Sequence, residues 1–269
     1  MIHESSFNKR KRYQNEAFQA ACQGLLIPGV NVAWGVHGML RHSKEPGIFI
    51  SMDSPIIGPR NPDDIHHVRV GLNHHLQGLG YYNNRQKPSD RWEEFAQMWW
   101  IWVQPWESNL DKPIYVICDR SGLYESLGDN IETWLDDVLS KIRAITDHKI
   151  IVRFKNTDRN PPTHIPQKYE NVEVTRPKDM ADYTDAVFAD MRVAVVYTSN
   201  FAVNAAINGI PIVVTNKNAW AAPIGYQFVG NVMCPAIRDR TEWLNSLAYS
   251  TWSFSEIADG TVARHLGFR

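Results

Sequence analysis

The sequence is poor in cysteine. Cys22, Cys118 and Cys234 are few, odd in number and far apart, so they form neither a disulfide framework nor a paired zinc motif and point to a reducing compartment, the cytoplasm. A long apolar run is missing too. No stretch reaches the ~18 residues that a membrane-spanning helix requires. The opening residues, MIHESSFNKRKRYQNEAF, place no apolar segment behind their basic ones and do not read as a secretory signal. No sign of charge dominates, because 28 Lys and Arg stand against 29 Asp and Glu for a net charge of −1, which argues against a global electrostatic footprint for nucleic acid. Neither Gly-x-Gly-x-x-Gly nor a P-loop occurs, which argues against the motif-defined dinucleotide and NTPase sites. Internal repeats and low-complexity segments are absent as well.

What remains is an ordinary globular composition, 269 residues with 43% hydrophobic and 21% charged, long enough for one large domain or two small ones. Residues 1–105 carry 11 Lys and Arg against 9 Asp and Glu, residues 106–269 carry 17 against 20, and the first stretch holds seven of the ten histidines. This weak polarity is compatible with an anionic partner for the N-terminal part. Residues 13–24 read as a helix stopped by Gly24, VNVAWG and GIFISMD as strands, and the segment between them as a short helix. Residues 54–91 read as irregular. Residues 92–106 hold five tryptophans and read as a core helix with an aromatic face, ended by Pro105; a ligand-stacking platform is the other reading. From PIYVICD onward, continuous apolar strands alternate with helices, the pattern of a parallel sheet covered on both faces. A cut near residues 104–112 gives an N-terminal lobe over 1–106 and a C-terminal lobe over 107–250. The tail reads as helices near 240–250 and 254–266, with 251–269 able to pack back on the first lobe.

Ligands of open parallel sheets bind beyond the carboxyl ends of the strands, and four such ends stand out. Thr198-Ser199-Asn200 lead into a small-residue helix, where Ser199 or Asn200 is a good N-cap and free N–H groups offer a phosphate site; a simple capped helix explains the same residues. Arg153 and Lys155 alternate with apolar residues and either neutralise a diphosphate or form a solvated edge pair. Asp119-Arg120-Ser121-Gly122 follow the first strand of the second lobe. Asp53 ends an apolar strand beside Ser54-Pro55 and is placed either as a general base or as a turn former. His66-His67 and His74-His75 are weak metal candidates, because neighbours on a strand point to opposite faces; no metal site is expected.

From Val32 to Val214, about two thirds of the chain, the order of these stretches resembles small GT-B-like glycosyltransferases of tailed phages, related to those acting on hydroxymethylated pyrimidines in phage DNA. The likeness is carried by FISMDSPIIGPR, RVGLNHHLQGLGYYNNR, SDRW, QPW, YVICDRSG, ITDHKIIVRFK and the closing block AVVYTSNFAVNAAINGIPIVV. The chain departs from the family pattern at Asp53-Ser54-Pro55, where Glu-Arg-Gly is usual. It departs again at Asp119-Arg120-Ser121-Gly122, in place of a Gln-containing turn, and at Arg153-Phe154-Lys155-Asn156, in place of Arg-Pro-His-Pro.

The resemblance implies an α/β, GT-B-like chain of two Rossmann-like lobes with mostly parallel sheets facing a cleft. It implies an inverting, metal-independent glycosyltransferase with no required cofactor and a nucleotide-sugar donor, a UDP-sugar being expected. Asp53 would be the catalytic base, and Arg120, Ser121, Arg153, Lys155, Thr198, Ser199 and Asn200 would bind the donor. The first-choice acceptor is a 5-hydroxymethylated pyrimidine of double-stranded DNA, met by His74, His75, Tyr81 (with Tyr82) and Arg60 and favoured by the basic run Lys9-Arg10-Lys11-Arg12. The alternatives are a polysaccharide or lipopolysaccharide acceptor, a nucleotide-sugar epimerase using Asp53 and Asp119, and a non-catalytic nucleotide- or nucleic-acid-binding protein that keeps the Ser199-Asn200 pocket.

Overall fold

The computed structural model describes residues 12–42, 47–58, 66–107, 109–156, 158, 160–176 and 185–268; Arg60 and Lys9-Arg10-Lys11 lie outside them. In chain order the first elements are α1 (Arg12–Gly24), β1 (Asn31–Trp34), α2 (Gly35–His42), β2 (Phe49–Asp53), β3 (His67–Leu72) and α3 (Asp90–Met98). There follow β4 (Ile114–Ile117), α4 (Ser121–Ser126), α5 (Ile131–Arg143), β5 (Ile150–Arg153), β6 (Val172–Thr175), α6 (Asp185–Ala189), β7 (Val193–Val196), α7 (Phe201–Ile207) and β8 (Ile212–Val214). The last are α8 (Ala222–Gly225), α9 (Thr241–Ala248), β9 (Thr251–Ser253), α10 (Phe254–Ala258) and α11 (Thr261–His265). The chain divides into two compact units, one of Met1–Ile101 with Arg240–Arg269 and one of Trp102–Asp239.

In the first unit the strands lie in the order β1-β2-β3-β9. Only β1 and β2 run parallel; β3 and β9 join antiparallel. The sheet is therefore mixed, where a mostly parallel one was expected. Two short strands make the difference. HVRVGL lies inside the stretch read as irregular, and Thr251–Ser253 is only three residues long, so neither gives a clear alternation. Alternation then sorts the faces. Val32, Ile50, Met52, Val68, Val70 and Trp252 form an apolar core with Ala17, Ala21 and Leu25 of α1, Ile257 of α10 and Val262 of α11. The opposite face carries Ser51, Asp53, Arg69 and Thr251, and Ser51, Arg69 and Thr251 are buried.

The tryptophan-rich segment departs from its reading. The helix ends at Met98 rather than at Pro105. Trp100 takes a left-handed φ of 53°, the Ile101 N–H bonds the Ala96 carbonyl at 2.9 Å and the Trp100 N–H bonds the Gln97 carbonyl at 3.5 Å. That is a Schellman stop, which closes the helix without glycine. Phe95 is the buried residue of α3, and Trp99 stacks on it at 4.5 Å. Trp100 and Trp102 are instead 78% and 70% exposed, so the aromatic face is not one core surface. His67 stands edge-on to both Phe95 and Trp99, and this burial pushes its imidazole down to about 4.

In the second unit all five strands are parallel, in the order β6-β5-β4-β7-β8. The strands are short continuous apolar runs because both faces are covered. Leu135, Val138, Leu139 and Ile142 of α5 pack on Val116, Val152 and Val195. Asn130 caps α5, its side chain accepting from the Glu132 and Thr133 N–H groups at 2.7 and 3.2 Å, and Lys141 and Arg143 sit in the last turn, where positive charge suits the dipole. The Ser-Gly pair after β4 opens a short helix, α4, rather than a turn. Gly209 closes α7 as expected, with a left-handed φ of 78°, and a Cβ there would lie 2.0 Å from the Pro105 carbonyl oxygen. The Gln104 and Glu107 N–H groups bond the Ile207 and Gly209 carbonyls, so this glycine also seats the chain entering the unit.

Two outcomes are expected. Gly209→Ala combines a strained φ with a backbone collision and should cost about 3 kcal/mol in a denaturant titration. For His67, the unfolded chain binds its proton near pH 6.5 and the folded chain only near 4, so the folded state loses stability as pH falls through that window. The thermal midpoint should drop between about pH 6.5 and 4, and less steeply in His67→Phe.

Candidate active site

In the first unit the polar sheet face gathers around Asp53. Asp53 and Arg69 are register partners on β2 and β3, and the buried Arg69 guanidinium donates to Asp53 Oδ2 at 2.8 Å. Asp53 Oδ1 accepts from the Ser54 N–H at 2.7 Å, and the side chain keeps 25% of its surface in solvent. A carboxylate fixed on one side by a buried cation and open on the other can accept a proton from a bound hydroxyl. On the same face, two residues earlier, the Ser51 Oγ is buried and bonded to none of the described residues, the kind of unsatisfied group that clusters where a fold serves chemistry rather than stability. Arg69 carried no signal in the sequence reading. Its partner stands 16 positions away, and only the antiparallel pairing brings the two together.

His74 and His75 follow β3 in a loop turned by Asn73 at φ 65°. They do not point to opposite faces, as adjacent strand residues would, because they are not in a strand; their rings stack at 4.6 Å. His74 Nδ1 accepts from the Leu76 N–H at 3.0 Å, which places the ring proton on Nε2 in the neutral form. Burial, and then the Arg69 charge, pushes His74 down to about 4, and burial pushes His75 down to about 2. His75 Nδ1 lies 3.2 Å from the Met39 sulfur of α2. Both imidazoles are therefore neutral at physiological pH. Tyr82 is buried, and its hydroxyl donates to the His74 carbonyl at 2.7 Å. Its ring lies where a Cβ on Gly71 would stand, at 2.3 Å. Tyr81 is half exposed, and Arg60 is outside the described residues. His66 is exposed, 3.8 Å from Glu16. Among the described residues no three His, Cys, Asp or Glu side chains group as metal ligands.

In the second unit the sheet order reverses between β4 and β7, and their carboxyl ends form the topological switch point of an open α/β sheet. Asp119 sits there, 1% exposed. Its Oδ2 accepts from the Thr198 N–H at 3.1 Å and the Thr198 hydroxyl at 2.9 Å, and its Oδ1 accepts from Lys155 Nζ at 3.1 Å. The polar groups of Thr198 are thus engaged within the protein. Ser121 is engaged likewise, its N–H and hydroxyl donating to Asp158 Oδ2 at 3.2 and 3.0 Å. Asn200 stands at the N-cap of α7, but its side chain makes no capping bond, and Ser199 Oγ lies 3.5 Å from the Phe201 N–H. The Ala202 and Val203 N–H groups bond the Ser199 and Asn200 carbonyls, because Asn200 itself is helical and tightens the first turn. The expected row of free N–H groups is therefore partly used. Arg153 is buried at the end of β5, Lys155 is a third exposed and Arg120 is exposed at the start of α4. The structure thus gathers Asp119, Lys155 and Thr198 into one network, with Ser121 in a second bonded pair beside it.

No protein-family model and no curated protein matches the chain. Among solved structures the chain is similar to the beta Kdo 2,7 transferase of Thermosulfurimonas dismutans KpsC, at 14% identity over 96% of this chain and 90% of that one, with a TM-score of 0.50. It also matches the beta Kdo 2,4 transferase of the same KpsC, at 9% identity over 88% and 87% with a TM-score of 0.49. A mutant O-GlcNAc transferase of Thermobaculum terrenum matches at 14% identity over 72% and 36%, with a TM-score of 0.32. The first of these likenesses shows the fold, an α/β chain of two Rossmann-like units of the GT-B glycosyltransferase kind.

Proposed function

We propose that the chain is a glycosyltransferase that moves a sugar from a nucleotide-sugar to a hydroxyl group, with Asp53 as the base. The observation that carries this reading is the Asp53 carboxylate, held at 2.8 Å by buried Arg69 at the carboxyl end of β2 and still open to solvent, in a fold shared with a sugar transferase. Asp53 takes the acceptor proton as the hydroxyl oxygen forms its bond to the anomeric carbon, and the bond from that carbon to the donor phosphate breaks. The leaving phosphate keeps the electron pair and is stabilised by positive charge at the strand ends, with Lys155 and Arg120 the side chains most available for it. A single carboxylate in this role implies inversion at the anomeric carbon. The cationic side chains supply the electrostatic stabilisation without a resident metal. Arg69 is a positioning residue that orients the base.

For the acceptor, the reading favours a glycan hydroxyl. The similar solved structure is a Kdo transferase, whereas the DNA acceptor rests on resemblance in sequence alone, and its residues Arg60, Lys9, Arg10 and Lys11 lie outside the described part of the chain.

Asp53→Asn should lower turnover by about 10²–10⁴-fold while leaving donor binding unchanged, as read by product formation and by calorimetry. Full turnover by that variant would remove Asp53 from the mechanism. A thermal-shift panel of UDP, GDP, CDP and CMP should give stabilisation with one of them, about 2.7 kcal/mol at a hundredfold excess over its Kd. Lys155→Ala should weaken that nucleotide by about tenfold, the loss of one charge-assisted contact. No shift with any of the four would sink the transferase reading.

A further inference from the structure

A cavity of about 850 Å³ opens along α5 in the second unit, between that helix and the segment Tyr226–Val229. Its volume lies within the ~300–1,000 Å³ of small-molecule clefts. Neither the Asp53 cluster nor the Asp119–Lys155–Thr198 network lines it.

Aromatic rings dominate its walls. Trp134 is anchored by its indole N–H, which donates to Thr215 Oγ1 at 2.8 Å, and Tyr197 by its hydroxyl, which donates to Asp129. Tyr226 and Phe228 are 47% and 64% exposed on the rim. Two large rings left in solvent beside two anchored ones form a contiguous apolar patch, and such patches mark binding surfaces. The polar groups among them are acidic. Asp129 and Asp137 stand against one cation, Lys141, which is already 2.7 Å from Asp137, so the lining carries a net negative charge.

That combination selects a class of ligand. Aromatic faces are electron-rich and attract the C–H face of a saturated ring, while carboxylates accept hydrogen bonds from hydroxyl groups. The excess negative charge works against phosphate, so the groove is unsuited to the diphosphate of a nucleotide. We infer that it is a saccharide-binding site for a neutral glycan, built entirely from one unit and distinct from the residues assigned to transfer. Such a site would hold a glycan chain independently of the reacting hydroxyl.

The test is to apply the full chain to an array of neutral gluco-, galacto-, manno- and N-acetylhexosamine oligosaccharides, and to titrate each retained glycan calorimetrically into the protein and two variants. Phe228 and Asp137 are exposed, so Phe228→Ala and Asp137→Asn should fold. The expected result is retention of at least one glycan, weakened tenfold or more in both variants, while stabilisation by nucleotide is unchanged in each. No glycan retained on the array would overturn the inference, as would equal binding by the variants. Loss of nucleotide stabilisation in the variants would also overturn it, by assigning the groove to the donor. A protein that binds glycans through this groove but no nucleotide would keep the inference and discard the transferase reading.

Discussion

Asp119 has lost nearly all of its hydration, and a buried carboxylate is tolerated only when its charge and lone pairs are met. Here Thr198 meets one oxygen and Lys155 the other. Because those partners come from the ends of β7 and β5, a single side chain after β4 ties three strand ends together where the sheet order reverses. The remaining geometry of the second unit's carboxyl edge depends on that knot. Thr198 is drawn inward, the turn into α7 tightens, and Lys155 is left with its ammonium at the surface. A residue that reads in sequence as part of a ligand site is here also the strut of that site, and a ligand phosphate would compete with Asp119 for the same lysine.

The first unit meets the same problem differently. One face of its sheet is an ordinary apolar core, while the other buries Arg69, Ser51 and Thr251. Burying an arginine is costly unless a carboxylate lies within reach, and Asp53 provides it across the antiparallel pairing. The charge of Arg69 then reaches His74 and His75, helping to keep both neutral. The acid, the arginine and the two histidines therefore form one electrostatic unit, although the histidines serve the packing of the loop as much as any chemistry.

Much of the fold was legible in the sequence. The apolar runs at Ile114–Ile117, Ile150–Arg153 and Val193–Val196 are parallel strands, the 3.6 spacing of Ile131, Leu135, Val138 and Ile142 is α5, and Gly209 is a helix stop. Each depends on interactions within a few residues or on burial on both faces, and both leave a mark in a linear pattern. Asp53 was legible for the same reason, as an acid at the end of an apolar run.

The elements that escaped are those fixed by partners far along the chain. β3 and β9 are short and take their identity from pairing with each other and with β2. Trp99 and Trp100 stop a helix by carbonyl bonds that no composition signals. His74 and His75 stack because a left-handed Asn73 removes them from the strand. The groove along α5 joins residues 129–141 to 226–229, a juxtaposition that exists only once the sheet is built. Sequence alone determined which residues would be strands, helices and strand-end polar groups, because periodicity and burial are local. The tertiary structure alone decided which of those groups are spent on one another and which stay open to a ligand, because ion pairing and hydrogen bonding are settled by distance in space.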